Sequence, residues 1–307
     1  MITNDELGAA KEANARAREF YVQGRPALAF APAKAALAAW ENVRGAEHAE
    51  VAHMCIGLSA ICEQLSRYDD AESYAQRAAA ITESLGTTCD TRLRVHALAR
   101  LAVMERIGNR LDSAAALYQS ALSQVEMSQD RVTLLCGLGV VYKYAKRFDE
   151  AETVYWQALE MAEPDSLAAA SLWHNLGGLE HSRGRYAAGE PAARRSVRIR
   201  AKLLGLDHPI VAADQAALAS LLAGQKKYDE AERLYLRALA TFQRVYDADN
   251  YELAVTFNDL GVLKAAQGRP EQARRYYQKA IRIKRKILGP EHPDLALTER
   301  NLRCLAA

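Results

Sequence analysis

Cys55 and Cys62 stand seven residues apart, which sets both thiols on one face of a helix, as a pair of metal or redox ligands would be set. His174 and His181 repeat that spacing, and His53 and His96 are a second pair of candidate ligands. A metal centre needs three or four convergent ligands with matching carboxylates, and no such set emerges. No metal and no cofactor is therefore expected, and the two thiols read as small buried hydrophobes. The chain also lacks G-x-x-x-x-G-K-[ST], a G-x-G-x-x-G after a strand, H-E-x-x-H and G-x-S-x-G. Nothing here assembles a reaction centre, so no enzyme is expected. Recognition chemistry is better represented. Arg100, Arg106, Lys143, His174 and His181 could meet carboxylate or phosphate, with Tyr144 and Asn175 adding packing surface and amide hydrogen bonds. A second basic set comprises Arg195, Arg198 and Lys202, then Arg233, Arg237 and Arg244, then Lys279, Arg282 and Lys286, with Arg275 beside the last three. Whether either set acts together depends on the elements that carry it.

Those elements repeat. RFDEAETVYWQALEMA (147–162), KYDEAERLYLRALATF (227–242) and RPEQARRYYQKAIRIK (269–284) share one pattern of basic, small and aromatic residues. Their small residues align as Ala29, Ala71, Ala114, Ala151, Gly189, Ala231 and Ala273, with spacings by subtraction of 42, 43, 37, 38, 42 and 42. Twelve positions before each stands a second small residue: Ala17, Ser59, Ala102, Gly139, Gly177, Ala219 and Gly261. A small residue in fixed register marks where one helix approaches its neighbour too closely for a large side chain. Short polar breaks such as YAKRFDE (144–150) and AGQKKYDE (223–230) separate helix A from helix B. Apolar residues recur at helical spacing around them, as Leu135, Leu138 and Tyr142 do, then Val154, Tyr155, Ala158 and Leu159. Each unit is then an antiparallel helix hairpin that must stack on its neighbours to bury its apolar face.

Trp173-His174-Asn175-Leu176-Gly177 resembles the W-x2-L-G opening of the tetratricopeptide repeat, and Leu135…Leu138-Gly139…Tyr142 resembles it with Leu for Trp. The long period, with LGLDHP (204–209) and LGPEHP (288–293) between units, is similar to the repeats of kinesin light chains and their bacterial relatives. The resemblance covers essentially the whole chain. It implies an all-α, right-handed superhelical solenoid of about seven helix pairs, at 5–44, 48–86, 91–127, 130–163, 166–205, 208–248 and 250–289. A capping helix at 293–307 completes a single domain over 1–307. Pro26 and Pro270 fall just before helix B, where a first-turn proline costs little. Pro32 lies deeper in its helix. Glu105 and Glu180 depart from the family pattern, standing where an aromatic is usual, and the third and fourth units are short. Cys55 and Cys62 fall at core positions of that pattern.

The register then assigns two surfaces. The concave wall, formed by helices A, carries Lys11, Asn14, Arg18 and Tyr21, then His53, Ile56, Glu63 and Gln64, then His96, Arg100, Val103 and Arg106. It continues through Thr133, Lys143 and Tyr144 to His174, Asn175 and His181, and beyond these it becomes small and apolar, from Ala213 to Val262. Cations from neighbouring units should converge on its middle and receive an acidic or phosphorylated segment of a partner. The second basic set lies on helices B of the last three units. Its counterparts in the third unit are Ala116, Ser120, Ser123 and Met127, and in the fourth Thr153, Gln157, Glu160 and Pro164. This stripe is either a solvated face or a docking surface for an acidic partner.

Composition sets the outer limits. The 307 residues are 50% hydrophobic and 25% charged with net charge +2, which is globular and lacks a field that would gather nucleic acid or membrane lipid. The first twenty residues do not form a secretory signal, and no apolar run is long enough for a membrane span. Five cysteines without a C-x-x-C pair fit a reduced, cytoplasmic setting. The expected function is a non-enzymatic scaffold or adaptor that binds a peptide segment in its groove. The alternatives are a nucleic-acid-binding solenoid using the basic stripe and a regulatory subunit of an enzyme complex. The sequence leaves the oligomeric state and the partner's identity open.

Overall fold

A computed structural model of the chain describes residues 4–126, 129–290 and 292–305; Met127 and the last two residues of the 293–307 segment lie outside them. The helices come in pairs: α1 (Asn4–Val22) and α2 (Pro26–Arg44), α3 (Ala49–Gln64) and α4 (Tyr68–Ser84), α5 (Thr91–Ile107) and α6 (Leu111–Leu122). α7 (Gln129–Tyr144) and α8 (Phe148–Met161) follow in sequence, and then come the pairs α9 (Leu167–Ser182) and α10 (Tyr186–Leu204), α11 (Pro209–Gly224) and α12 (Tyr228–Val245), α13 (Tyr251–Ala266) and α14 (Pro270–Leu288). A terminal helix, α15 (Pro293–Cys304), packs on α14, and one 3-10 turn (Gly86–Thr88) separates α4 from α5. Among the described residues there is no strand. The architecture is an all-α helical-repeat solenoid. The chain divides into two compact units, Met1–Arg147 and Phe148–Ala307, so α7 belongs to the first and α8 to the second.

The registered small residues are all buried, as close helix approach requires. Ser59 Oγ donates to the Ala71 carbonyl at 2.7 Å across its hairpin. A Cβ on Gly189 would sit 2.9 Å from the Gly177 carbonyl oxygen, so backbone meets backbone there. Around these contacts the first unit buries Trp40, Leu58, Ile81 and Leu93, and the second buries Leu221, Tyr235, Phe242 and Leu260. Pro26, Pro209, Pro270 and Pro293 each open a helix, where their missing N–H would be unpaired anyway. Pro32 is accommodated inside α2 without ending it.

Two turn devices repeat. Each A-to-B turn places one residue at positive φ, five positions before the registered small residue. These are Gly24, Ser66, Asn109, Lys146, Gly184, Lys226 and Gly268, with φ from 58 to 71°. The following basic residue (Arg25, Arg67, Arg110, Arg147, Arg185, Lys227 or Arg269) donates its N–H to the carbonyl five residues back at 2.8–2.9 Å. This is a Schellman cap, which satisfies the last free carbonyls of helix A. In several repeats the basic side chain also folds back on the residue it caps. Arg147 lies 4.3 Å from the Tyr142 ring centroid, while Arg110 and Arg185 reach Glu105 and Glu180 at 2.8 and 3.0 Å. The two departures from the aromatic pattern are thus filled by ion pairs. Two helices A, α3 and α11, and the terminal helix α15 begin with a histidine cap instead of the usual serine or aspartate: Nδ1 of His48, His208 and His292 accepts the N–H two residues on, each at 3.2 Å.

A left-handed backbone is costly for any residue with a Cβ. Lys226, at φ 63° and exposed, bears that cost where other repeats use glycine. Lys226→Gly is expected to raise stability by about 0.5–1 kcal/mol, the relief of strain exceeding the added freedom of the unfolded chain. Urea denaturation of the two proteins checks it; an unchanged or lower midpoint contradicts it.

Candidate functional site

In the first unit the wall residues of α5 and α7 come together in part. The Arg106 guanidinium and the Lys143 ammonium each lie 5.4 Å from the Tyr144 ring centroid, and that ring is 58% exposed. Neither cation has a carboxylate partner among the described residues. Burial, and after it the charge of Arg106, holds the Lys143 ammonium below the usual lysine range. Two like charges are therefore kept beside one another with no counter-charge. Arg100 is placed differently. It is mostly buried and paired with Glu63 of α3, so its charge is already neutralised within the fold. His96 and Arg92 likewise converge on Asp130, at 3.5 and 3.0 Å.

In the second unit His174 and Asn175 sit half-buried on α9, and His181 is exposed on the same helix. His174 Nδ1 lies 2.8 Å from Asp214 Oδ1; Asp214 is 1% exposed and also binds Ser196 and Arg200. His181 Nε2 is 3.0 Å from Ser220 Oγ, and its ring packs edge-on against Tyr186. Further ionisable groups are buried on α13 and α14. Burial pushes the Glu252 carboxyl up, and it pushes Asp259 up to about 6 despite the hydrogen bond from Asn258. Lys264 and Lys284, 3% and 2% exposed, pair with Glu232 at 2.6 Å and Asp294 at 2.8 Å. The sequence signal for these groups is a charged residue at a helix position that the repeat register makes internal, since such a charge must find a partner. Asp214 inside PIVAADQAALASLLAG is the clearest case.

The outward basic set separates into residues the fold already uses and residues it leaves free. Lys202, Arg244 and Lys286 occupy equivalent places, and each reaches the acid of a preceding loop: Asp165, Asp207 and Asp249. Arg195 is not outward; it turns in over the Trp173 ring, 4.4 Å from its centroid. Trp173 in turn meets Trp156 edge-on at 5.6 Å. Arg198, Arg233, Arg237, Arg275 and Arg282 are exposed without a carboxylate partner among the described residues. Lys279 is also exposed and lies over the rings of Phe257 and Tyr276. The counterpart Met127 lies outside the described residues.

No cluster of three or more His, Cys, Asp or Glu side chains among the described residues is placed to hold a metal. Cys55 and Cys62 are buried, and burial pushes the Cys55 thiol up to about 11, away from the reactive thiolate. Among the described residues no helix is long and apolar enough to cross a membrane.

Comparison with known proteins agrees with this geometry. Tetratricopeptide repeat family profiles match residues 13–84, 168–244, 215–286 and 252–302, and a second profile of the same family matches 132–163. The chain belongs to the tetratricopeptide repeat family, whose fold is a protein–protein interaction scaffold. No curated protein sequence matches it. Among solved structures, a tetratricopeptide repeat protein from Parabacteroides merdae is 16% identical, with a TM-score of 0.59 over 98% of this chain and 100% of that one. The apo form of RapI is 16% identical, with a TM-score of 0.65 over 91% of this chain and 98% of its own. The TPR-like repeats of a putative kinesin light chain from Podosopora anserina are 18% identical, with a TM-score of 0.51 over 65% of this chain and 98% of that one. These likenesses concern the fold.

Proposed function

We propose that this protein is a scaffold or adaptor whose helix-A wall in the first unit receives an acidic or phosphorylated segment of a partner at Arg106, Lys143 and Tyr144. The observation that supports this reading is the pair of cations held together around an exposed ring without a carboxylate. Two neighbouring positive charges cost free energy in the unbound protein, and an anion that bridges them removes that cost. Arg106 offers a planar fork for carboxylate or phosphate, Lys143 a compact charge, and Tyr144 a face for the adjoining chain. Arg100 takes no part in the contact because Glu63 holds it. His174, Asn175 and His181 supply a separate hydrogen-bonding stretch on α9, where Asp214 and Ser220 already engage the two imidazoles.

The test begins with affinity capture from the native cell and mass spectrometry, followed by calorimetric titration of the captured partner's acidic segment. Arg106→Ala with Lys143→Ala is expected to weaken binding about 10- to 100-fold, since each charge-assisted contact is worth about 1.5–3 kcal/mol where water is excluded. The melting temperature should hold or rise, because the double variant also removes a repulsion. An unchanged affinity would show that the wall around Tyr144 is only solvated surface.

A further inference from the structure

Beside the free cations of α14 lies a cleft of about 390 Å³, within the second unit, between the end of α12, the start of α13 and the middle of α14. Its floor is apolar: Leu253, Phe257 and Ile283 are buried, and Tyr246 forms one wall. Its rim is cationic: Lys279 and Arg282 are exposed and have no carboxylate partner among the described residues. The nearby acid Asp249 does not neutralise them, because Lys286 already holds it. Lys279 lies 5.2 Å from the Phe257 centroid, so a positive charge sits at the mouth of a hydrophobic recess.

We propose that this cleft is a second docking site, independent of the wall around Tyr144, for an acidic segment of a partner protein. One aromatic or large aliphatic side chain of that segment enters between Tyr246 and Ile283, and flanking carboxylates meet Lys279 and Arg282. An apolar anchor filling a pocket inside a charged rim is the arrangement in which few residues carry most of an interface's binding energy. The cations fix orientation and speed the encounter. Arg237 on α12 and Arg198 on α10, both exposed and uncompensated, give a longer acidic segment further contacts on the same helix-B face. A protein segment fits better than nucleic acid. Single-stranded nucleic acid needs open ring faces for its bases. Phe257 is only 7% exposed, with Lys279 over it and Tyr276 stacked at 6.2 Å.

A displayed library of random peptides selected on the full chain tests this, with counter-selection on Ala248→Trp. Ala248 is an exposed residue at the edge of the cleft, so an indole there fills the recess without entering the core. The enriched peptides should carry several acids around one aromatic or leucine-like residue. By fluorescence polarisation, a labelled enriched peptide should lose about tenfold or more in affinity to Ala248→Trp and to Lys279→Glu with Arg282→Glu. Both variants should keep the parent circular dichroism and melting curve. Arg106→Ala with Lys143→Ala should bind the peptide as the parent does, which separates this site from the wall. Enrichment of basic or uncharged peptides, or no enrichment over Ala248→Trp, would overturn the proposal. So would a single-stranded oligonucleotide that binds more tightly than the peptide and loses its affinity in the charge-reversed variant.

Discussion

Glu190→Gln is expected to destabilise the second unit by about 2–3 kcal/mol at neutral pH, with a difference from the parent that shrinks as the solution is acidified. Glu190 stands on α10 and holds the turn between α11 and α12. One carboxylate oxygen accepts from Arg194 Nε, and the other from Lys227 Nζ and Gln225 Nε2, all at 2.8 Å. Lys227 is also the capping residue of that turn, so a single carboxylate joins one repeat to the hinge of the next. The hydrogen bond from Lys227, then those from Arg194 and Gln225, outweigh burial and hold the Glu190 carboxyl down at about 2. The displacement from 4.5 to about 2 corresponds to about 3 kcal/mol. Partial exposure of the partner cations lowers the expected value toward 2. A depressed acid contributes its full stability above the unfolded value near 4.5 and loses it as the pH falls through about 2. Urea midpoints for parent and variant between pH 7 and pH 3 should therefore be far apart at the upper end, with roughly half of the gap closed at the lower. A constant gap would assign the loss to packing, not charge.

The repeat register was legible because it rests on a steric requirement that only Ala, Gly and Ser satisfy, and that requirement recurs with every hairpin. The left-handed turn residues were half legible. Gly24, Gly184 and Gly268 announce themselves, while Ser66, Lys146 and Lys226 do not, because the Schellman hydrogen bonds and the flanking helices enforce a conformation those side chains would not choose. For the site, the register placed cations on the wall but did not show which were already paired. Arg100 finds Glu63 and His174 finds Asp214 across neighbouring repeats, about one period apart in sequence, where no local pattern operates. Overlaying each helix A on the next, with acids and bases marked, exposes such pairs in advance. It would also have withdrawn Lys202, Arg244 and Lys286 from the free basic stripe, since their loop acids recur at the same step. The cleft beside α14 had no sequence signal of its own. It arises where three helices leave space, and space is a property of packing.

The same substitution, Gly→Ala inside a helix A, is expected to have opposite signs at two positions. Replacing a mid-helix glycine ordinarily stabilises by about 0.5–1 kcal/mol, because alanine loses less backbone freedom on folding. Gly57 of α3 should follow that rule: it is exposed, and no heavy atom lies within 4 Å of where its Cβ would stand. Gly261 of α13 should break it. Its Cβ would fall 2.6 Å from both Cδ1 and Cε1 of Tyr277 on α14, and that ring is 2% exposed. A buried ring of this size has no empty volume to swing into, so either the ring leaves its rotamer or α13 and α14 separate. Both outcomes cost about 1–3 kcal/mol, enough to reverse the propensity gain. The burial that pushes the Tyr277 hydroxyl up to about 12 is the same confinement seen electrostatically. Gly57→Ala and Gly261→Ala, compared by urea denaturation, should move in opposite directions from the parent. Adding Tyr277→Leu to Gly261→Ala should cost less than adding it to the parent, because the smaller side chain relieves the clash while forfeiting ring packing. If Gly261→Ala proved as stabilising as Gly57→Ala, the close approach of α13 and α14 would not be what selects glycine at position 261.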